Sequence, residues 1–306
     1  MLRSLFRAAA GSSRLERLVE SAPVSKDVVR RFIAGRSAEE ALVASRALVD
    51  DGLVVSLDLL GEDTRTIEQA VTARDDYLGA LGRVRDAGLS SVVEVSVKLS
   101  ALGQRIDEKL AYEHARAICA AAEEAGTAVT LDAEEHGSTD ATLETLLELR
   151  KDFPATGAVL QAYLRRTEGD CRELSAAGSR VRLCKGSYAE PESVAFQSSL
   201  DVDKSFVRCL NILMSGEGYP MVATHDARLI AIAEDRARWF DRSTGEFEFQ
   251  LMYGVRPEEQ TRLAAGGNTV RVYLPYGEHW YAYLVRRLAD RPANVGFAAR
   301  AMTSKK

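Results

Sequence analysis

The chain has 306 residues, with 40 Lys plus Arg against 45 Asp plus Glu and a formal net charge of −5. That balance argues against a nucleic-acid binder, which is usually basic, and no apolar run nears the ~18 residues that a membrane span needs. Four scattered cysteines (Cys119, Cys171, Cys184, Cys209) without CxxC spacing and four scattered histidines (His114, His136, His225, His279) without HExxH argue against a metal site or a disulfide framework, and fit a reducing cytoplasm.

In chain order, the N-terminal "MLRSLFRAAAGSSRLERL" is rich in Arg and Ser, with no acid before Glu16. It reads as an amphipathic surface helix, with a transit peptide as the alternative. Residues 1–50 are expected to form a helical arm ahead of a catalytic unit at 51–306. From there, β-branched runs alternate with helical stretches. "VVSLDLL" (54–60) precedes a helix at 66–87, "VVEVSVKL" (92–99) one at 107–125, and "AVTLDAE" (128–134) one at 139–150. "GAVLQAY" (157–163) precedes 167–177, "RVRLCKG" (180–186) precedes 201–215, and "YPMVATH" (219–225) precedes 226–240. "FEFQLMY" (247–253) and "NTVRVYLPY" (268–276) precede helices at 257–265 and 279–290.

Strands separated by helices predict parallel pairing through crossovers. Eight such units within about 250 residues predict an α/β chain closed into a (βα)8 TIM barrel. The alternative, an open doubly wound sheet, lacks a GxGxxG after its first strand.

Barrel chemistry sits at the C-terminal strand ends, and here those ends are polar. Strand one leads to Glu62, strand two to Lys98, and strand three to Asp132, Glu134 and Glu135. Strand four ends at Gln161, strand five carries Arg182 and Lys185, and strand six reaches Thr224 and His225. Glu248 and Gln250 lie in strand seven, and Tyr273 in strand eight. One polar strand end is ordinary, because loops collect such groups. Charges within parallel strands are not, since both faces of such strands are buried and an unpaired buried ion is costly.

"VSVKLSALG", "LDAEEHGSTDATLE", "VLQAYLRR", "VRLCKGSYAEP", "VATHDARLI", "FEFQLMYGVR", "VRVYLPYG" and "YAYLVRRLADRPAN" occur in this order. Together they resemble the proline dehydrogenase family, from about residue 54 to 297, in its stand-alone bacterial form. The resemblance implies a flavoenzyme with a distorted barrel whose eighth helix lies over the mouth. It implies that Arg286 and Arg287, aided by Lys98, clamp the carboxylate of L-proline, with Tyr273 and Tyr283 against the ring and Tyr188 nearby. Asp132 would orient Tyr273, and Arg182 would lie beside flavin N5. Ala133, Gln161, the Lys185–Gly186–Ser187 turn, Thr224, His225 and Gln250 would hold a non-covalent FAD. Glu62 would gate the site by pairing with Arg286.

The implied reaction takes L-proline to Δ1-pyrroline-5-carboxylate by hydride transfer, with electrons passed to a quinone. Peripheral membrane contact and transfer of product to a separate pyrroline-5-carboxylate dehydrogenase stay open. So does activity on hydroxyproline, and a non-catalytic, anion-sensing barrel is the rival from another class. No metal is expected: His136 beside Glu134 and Glu135 is a weak ligand set. Cys184 reads as a packing residue and His114 as part of a surface helix.

Overall fold

The computed structural model describes residues 29–61, 64–176 and 178–290, except for the side chains of 286–290. Eight parallel strands close into a barrel in sequence order: β1 (Val54–Leu59), β2 (Val93–Val97), β3 (Val129–Leu131), β4 (Gly157–Gln161), β5 (Arg180–Cys184), β6 (Tyr219–Ala223), β7 (Glu248–Met252) and β8 (Thr269–Tyr276). Helix α1 (Ala38–Asp50) leads into β1. The crossover helices are α2 (Ile67–Asp86), α3 (Glu108–Ala125), α4 (Thr139–Asp152), α5 (Thr167–Glu173), α6 (Ser199–Ser215), α7 (Ala227–Trp239) and α8 (Pro257–Ala265). Helix α9 (Trp280–Asp290) follows β8.

Local signals set these boundaries. A capping box of Thr66 and Gln69 starts α2, Asp107 caps α3, and Gly126, in the left-handed region at φ +77°, ends it. Of the expected N-terminal arm, α1 packs Ala41 into the core beside β1 and β8. Residues 1–28 lie outside the described residues.

Strand alternation sorts the side chains into two populations. Val55, Leu57, Val95, Leu131, Leu160, Leu183, Phe249 and Val272 face the helices, and with the helices' apolar faces they make the main core. Their neighbours in sequence face the barrel axis: Ser56, Asp58, Glu94, Ser96, Thr130, Arg180, Arg182, Glu248, Gln250, Arg271 and Tyr273. The register brings Ser56 level with both Glu94 and Tyr273, and Gln250 level with Arg271. Such barrels are usually filled with branched apolar side chains. This one is filled with charge, so its stability rests on the helix–strand layer and on pairing every buried ion.

Helix α9 does not lie along the barrel wall. Trp280, Tyr281, Tyr283, Leu284 and Val285 form a second apolar cluster with Phe32, Ile33 and Leu60, with Met252 and Val255 packed against it. Leu60 and Met252 mark the C-terminal ends of β1 and β7, so α9 lies across the mouth. The segment before α1 is tied to the same rim: Ala34 donates to the Pro275 carbonyl at 2.9 Å, and Gly277 to the Gly35 carbonyl at 3.0 Å.

Candidate active site

Alternation on eight strands stacks the inward side chains in layers. The lowest layer holds two acids and two arginines. Glu248 takes a bidentate pair from Arg271, at 2.7 and 3.1 Å. Glu94 takes Arg180 at 2.6 Å, lies 3.5 Å from Arg271, and accepts from the Thr130 hydroxyl. Burial works against ionisation of Glu94, but the guanidiniums of Arg271, Arg180 and Arg182 outweigh it. They hold the carboxyl at about 2, against 4.5 for a free glutamate.

A depressed carboxylate pKa stabilises the fold at pH above the free value. That stability is lost as pH falls from about 4.5 towards about 2. Its full size is roughly 3 kcal/mol. Melting temperature between pH 5 and pH 2 should therefore fall more steeply in wild type than in a Glu94→Gln variant. Parallel curves would refute the assignment.

The middle layer centres on Arg182. Its guanidinium donates to Asp132 Oδ1 at 2.7 Å, to Ser96 Oγ at 2.9 Å and, through Nε, to the Gln250 side-chain oxygen. The top layer centres on Asp132. Its second oxygen accepts from Tyr273 OH at 2.5 Å and from Lys98 Nζ at 3.1 Å. Lys98 also meets Asp58 at 2.6 Å and Tyr273 OH at 3.1 Å. Burial, with Asp132 and Asp58 adding to it, pushes the Tyr273 phenol well above its ordinary pKa, so it stays a neutral donor. Across the layers, Lys98, Arg180, Arg182 and Arg271 are answered by Asp58, Glu94, Asp132 and Glu248, a balance that low-dielectric burial demands.

Above Arg182 the barrel opens into a cavity of about 1840 Å³. Its lining includes Lys98, Asp132, Ala133, Gln161, Arg182, Lys185, Gly186, Ser187, Tyr188, Thr224, His225, Gln250, Tyr273 and Tyr283. These residues, all singled out in the sequence, thus share one chamber, whereas Glu134 and Glu248 do not line it. Arg286 and Arg287 belong to α9, but their side chains lie outside the described residues, as does Glu62 altogether.

Local contacts define several roles. Gln161 Nε2 donates to the Glu134 carbonyl at 2.8 Å, which orients its amide. His225 Nε2 accepts from the Met252 N–H at 2.8 Å, which fixes the neutral tautomer with its proton on Nδ1. Gly186 has φ +95°, and a Cβ there would fall 2.1 Å from the Tyr163 ring. Only glycine permits that turn. Lys185 is held by Asp203 at 2.6 Å and Asp226 at 2.9 Å.

Three residues differ from the sequence reading. Cys184 shares a strand face with Arg182 and lines the cavity; burial raises its thiol to about 11, so it is no thiolate at neutral pH. His114 is buried on the inner side of α3 and bonds the Leu102 carbonyl at 3.1 Å. Asp58, the shortest ion-pair partner of Lys98, was not among the expected residues, although Ser56 and Asp58 alternate with Val55 and Leu57. Among the described residues no three His, Cys, Asp or Glu side chains gather as a metal site, and no helix is long and apolar enough to cross a membrane.

A family profile described as proline dehydrogenase matches residues 41–300. A protein named proline dehydrogenase from Deinococcus radiodurans is 40% identical over 285 residues, 90% of each chain. Proline dehydrogenase 2 of Bacillus subtilis is 36% identical over 92% of each. Among solved structures, proline utilization A (PutA) from Bdellovibrio bacteriovorus, inactivated by N-propargylglycine, superposes with a TM-score of 0.80 at 25% identity. It covers 86% of this chain, which spans 32% of that one.

Proposed function

The chain belongs to the proline dehydrogenase family and carries its activity, the first step of proline catabolism; on that premise we propose how the site performs it. L-proline is oxidised to Δ1-pyrroline-5-carboxylate, FAD is the non-covalent oxidant, and a quinone takes the electrons. The catalytic unit is residues 51–306, with 1–50 as its arm.

The observation that carries this reading is the chamber itself. Its volume exceeds the ~300–1,000 Å³ of a single small-ligand pocket, which suits an extended cofactor together with a substrate. Its floor offers a guanidinium and two side-chain amides, Arg182, Gln161 and Gln250, and a dinucleotide's flavin ring presents the heteroatoms such groups bond. These residues fit FAD.

FAD, when bound, supplies the oxidant by accepting hydride. The chain's own residues bind, orient and exclude water. Arg182 places fixed positive charge where a reduced ring is anionic, with Gln161 and Gln250 beside it, and preorganised charge needs no rearrangement during reaction. Lys185, the Gly186 turn, Ser187, Thr224 and His225 hold the remainder of the cofactor. Tyr273 and Tyr283 flank the proline ring, and Asp132 locks Tyr273 and Lys98 in place. Arg286 and Arg287 take the carboxylate as a guanidinium fork, and Glu62 pairs with Arg286 as the gate. Helix α9, across the mouth, keeps water from the reacting carbon.

Purified protein should be yellow. Heat denaturation should release about one equivalent of FAD into the supernatant, and anaerobic L-proline should bleach the bound flavin until quinone restores it. Flavin retained in the pellet, FMN in place of FAD, or no bleaching by proline would each count against the proposal.

A further inference from the structure

Glu248 sits one layer below the chamber, almost fully buried, and none of the binding roles above uses it. Its Oε1 accepts from Gln250 Nε2 at 2.5 Å and from Arg271 Nε at 2.7 Å. Its Oε2 accepts from Arg271 Nη2 at 3.1 Å and from Tyr219 OH at 3.3 Å. Gln250 in turn presents its side-chain oxygen to Arg182 Nε. An amide can face two ways. Here one neighbour, the guanidinium, can only donate, and the other, the carboxylate, can only accept. The two together leave Gln250 a single orientation.

We propose that Glu248 is a positioning residue: through Gln250 it fixes the acceptor that holds the Arg182 guanidinium flat against Asp132 at the chamber floor. The inference rests on the reading of Arg182 as the cation beside the flavin. A glutamine at 248 would offer one neutral oxygen where two charged ones stood. Gln250 Nε2 and Arg271 Nε share Oε1, so with the oxygen there the NH2 would face Arg271 Nη2, and with the oxygen at Oε2 the NH2 would face Gln250. Either arrangement sets donor against donor in a buried place and weakens the acceptor that fixes the Gln250 amide, so the guanidinium would lose part of its fixed orientation. Glu248→Asp keeps an acceptor-only group and so keeps the amide direction.

The field and the positioning effect have opposite signs, which makes the idea testable. Removing a carboxylate purely as a charge makes a nearby flavin easier to reduce. Loosening Arg182 makes it harder, because the anionic reduced ring loses its fixed counter-charge. The experiment measures the flavin midpoint potential, and the proline kcat and KM, for holoenzymes of wild type, Glu248→Gln, Glu248→Asp, Gln250→Met and the Glu248→Gln/Gln250→Met pair. Glu248→Gln should shift the potential negative and lower kcat about ten-fold, the size of one hydrogen bond, with proline KM within about two-fold of wild type. Glu248→Asp should stay near wild type. Gln250→Met should shift the potential negative by itself, and adding Glu248→Gln to it should give no further negative shift, since the intermediary is gone.

An unchanged or more positive potential in Glu248→Gln overturns the proposal. So does the same negative shift with Met at 250. If Glu248→Gln does not fold, Glu248→Met takes its place with the same expected and contrary outcomes, and an unshifted potential in Gln250→Met overturns the proposal. A wild-type chain without flavin or without proline oxidation would instead refute the underlying function, so the two failures are told apart at the first measurement.

Discussion

Asp132→Ala should lower kcat/KM for proline by about a hundred-fold or more and make the fold less stable. Asp132 is where the layers join: it accepts from Arg182, Lys98 and Tyr273 with two oxygens. Alanine would leave Arg182 with only the more distant Glu94 carboxylate, at 3.9 Å, and Tyr273 OH without its 2.5 Å acceptor. Removing one partner of a buried ion pair costs ~3–5 kcal/mol, mostly because the other charge stays buried and unanswered. Asp58 would still hold Lys98, so the damage concentrates on Arg182 and Tyr273, the groups proposed to meet cofactor and substrate. If about two-thirds of that cost appears in the transition state, ~2–3 kcal/mol gives about a hundred-fold in rate. Asp132→Asn keeps acceptor oxygen without charge and should fall between. Steady-state kinetics with a dye acceptor and melting curves of the FAD-loaded variants measure both effects. Near-wild-type turnover by folded Asp132→Ala would remove Asp132 from the machinery.

The sequence made the barrel legible because its signal is local. Each of the eight β-branched runs lies on an observed strand, with ends differing by no more than three residues, since hydrophobic periodicity and flanking turns need no knowledge of the fold. The polar rim was legible for a related reason: Lys98, Asp132 and Gln161 lie at or just past strand ends, where charge contrasts with the run before it. The lower layer was harder. "VEVSV" and "RVRLC" carry Glu94, Arg180 and Arg182 at period two, but a parallel strand is expected to be apolar on both faces. Charge inside the barrel breaks that expectation. The pairing partners could not be read at all. Lys98 meets Asp58 across 40 residues, Arg182 meets Gln250 across 68, and only barrel closure and strand register bring them together. Asp58 was overshadowed by Glu62, a more obvious strand-end acid. Cys184 reads as packing when taken alone, whereas the strand face it shares with Arg182 decides where it points.

The layered pairing also decides which residues can capture substrate. Lys98 and Arg182 face the chamber, but both are bound to carboxylates: Lys98 to Asp58 and Asp132, Arg182 to Asp132. Lys98 is already answered by two carboxylates, so an incoming one needs other cations. Helix α9 carries two in its sequence, Arg286 and Arg287, after the cavity-lining Tyr283, and these are the cations proposed to take it. Arg286→Met and Arg287→Met should each lower kcat/KM for L-proline about ten- to hundred-fold, the equivalent of one charge-assisted hydrogen bond of ~1.5–3 kcal/mol. The loss should appear mainly in KM, with kcat falling as well if the reacting carbon is less well aimed. Lysine at either position should rescue only in part, because an ammonium restores charge without the fork. If the pair were a solvated face, either change should cost ~0.5 kcal/mol or less in stability and nothing in turnover. Pyrrolidine, which is proline without its carboxylate, supplies the internal control. Wild type should discriminate sharply against it, and both methionine variants should lose most of that discrimination. Wild-type KM and kcat for proline in both variants would return Arg286 and Arg287 to the surface.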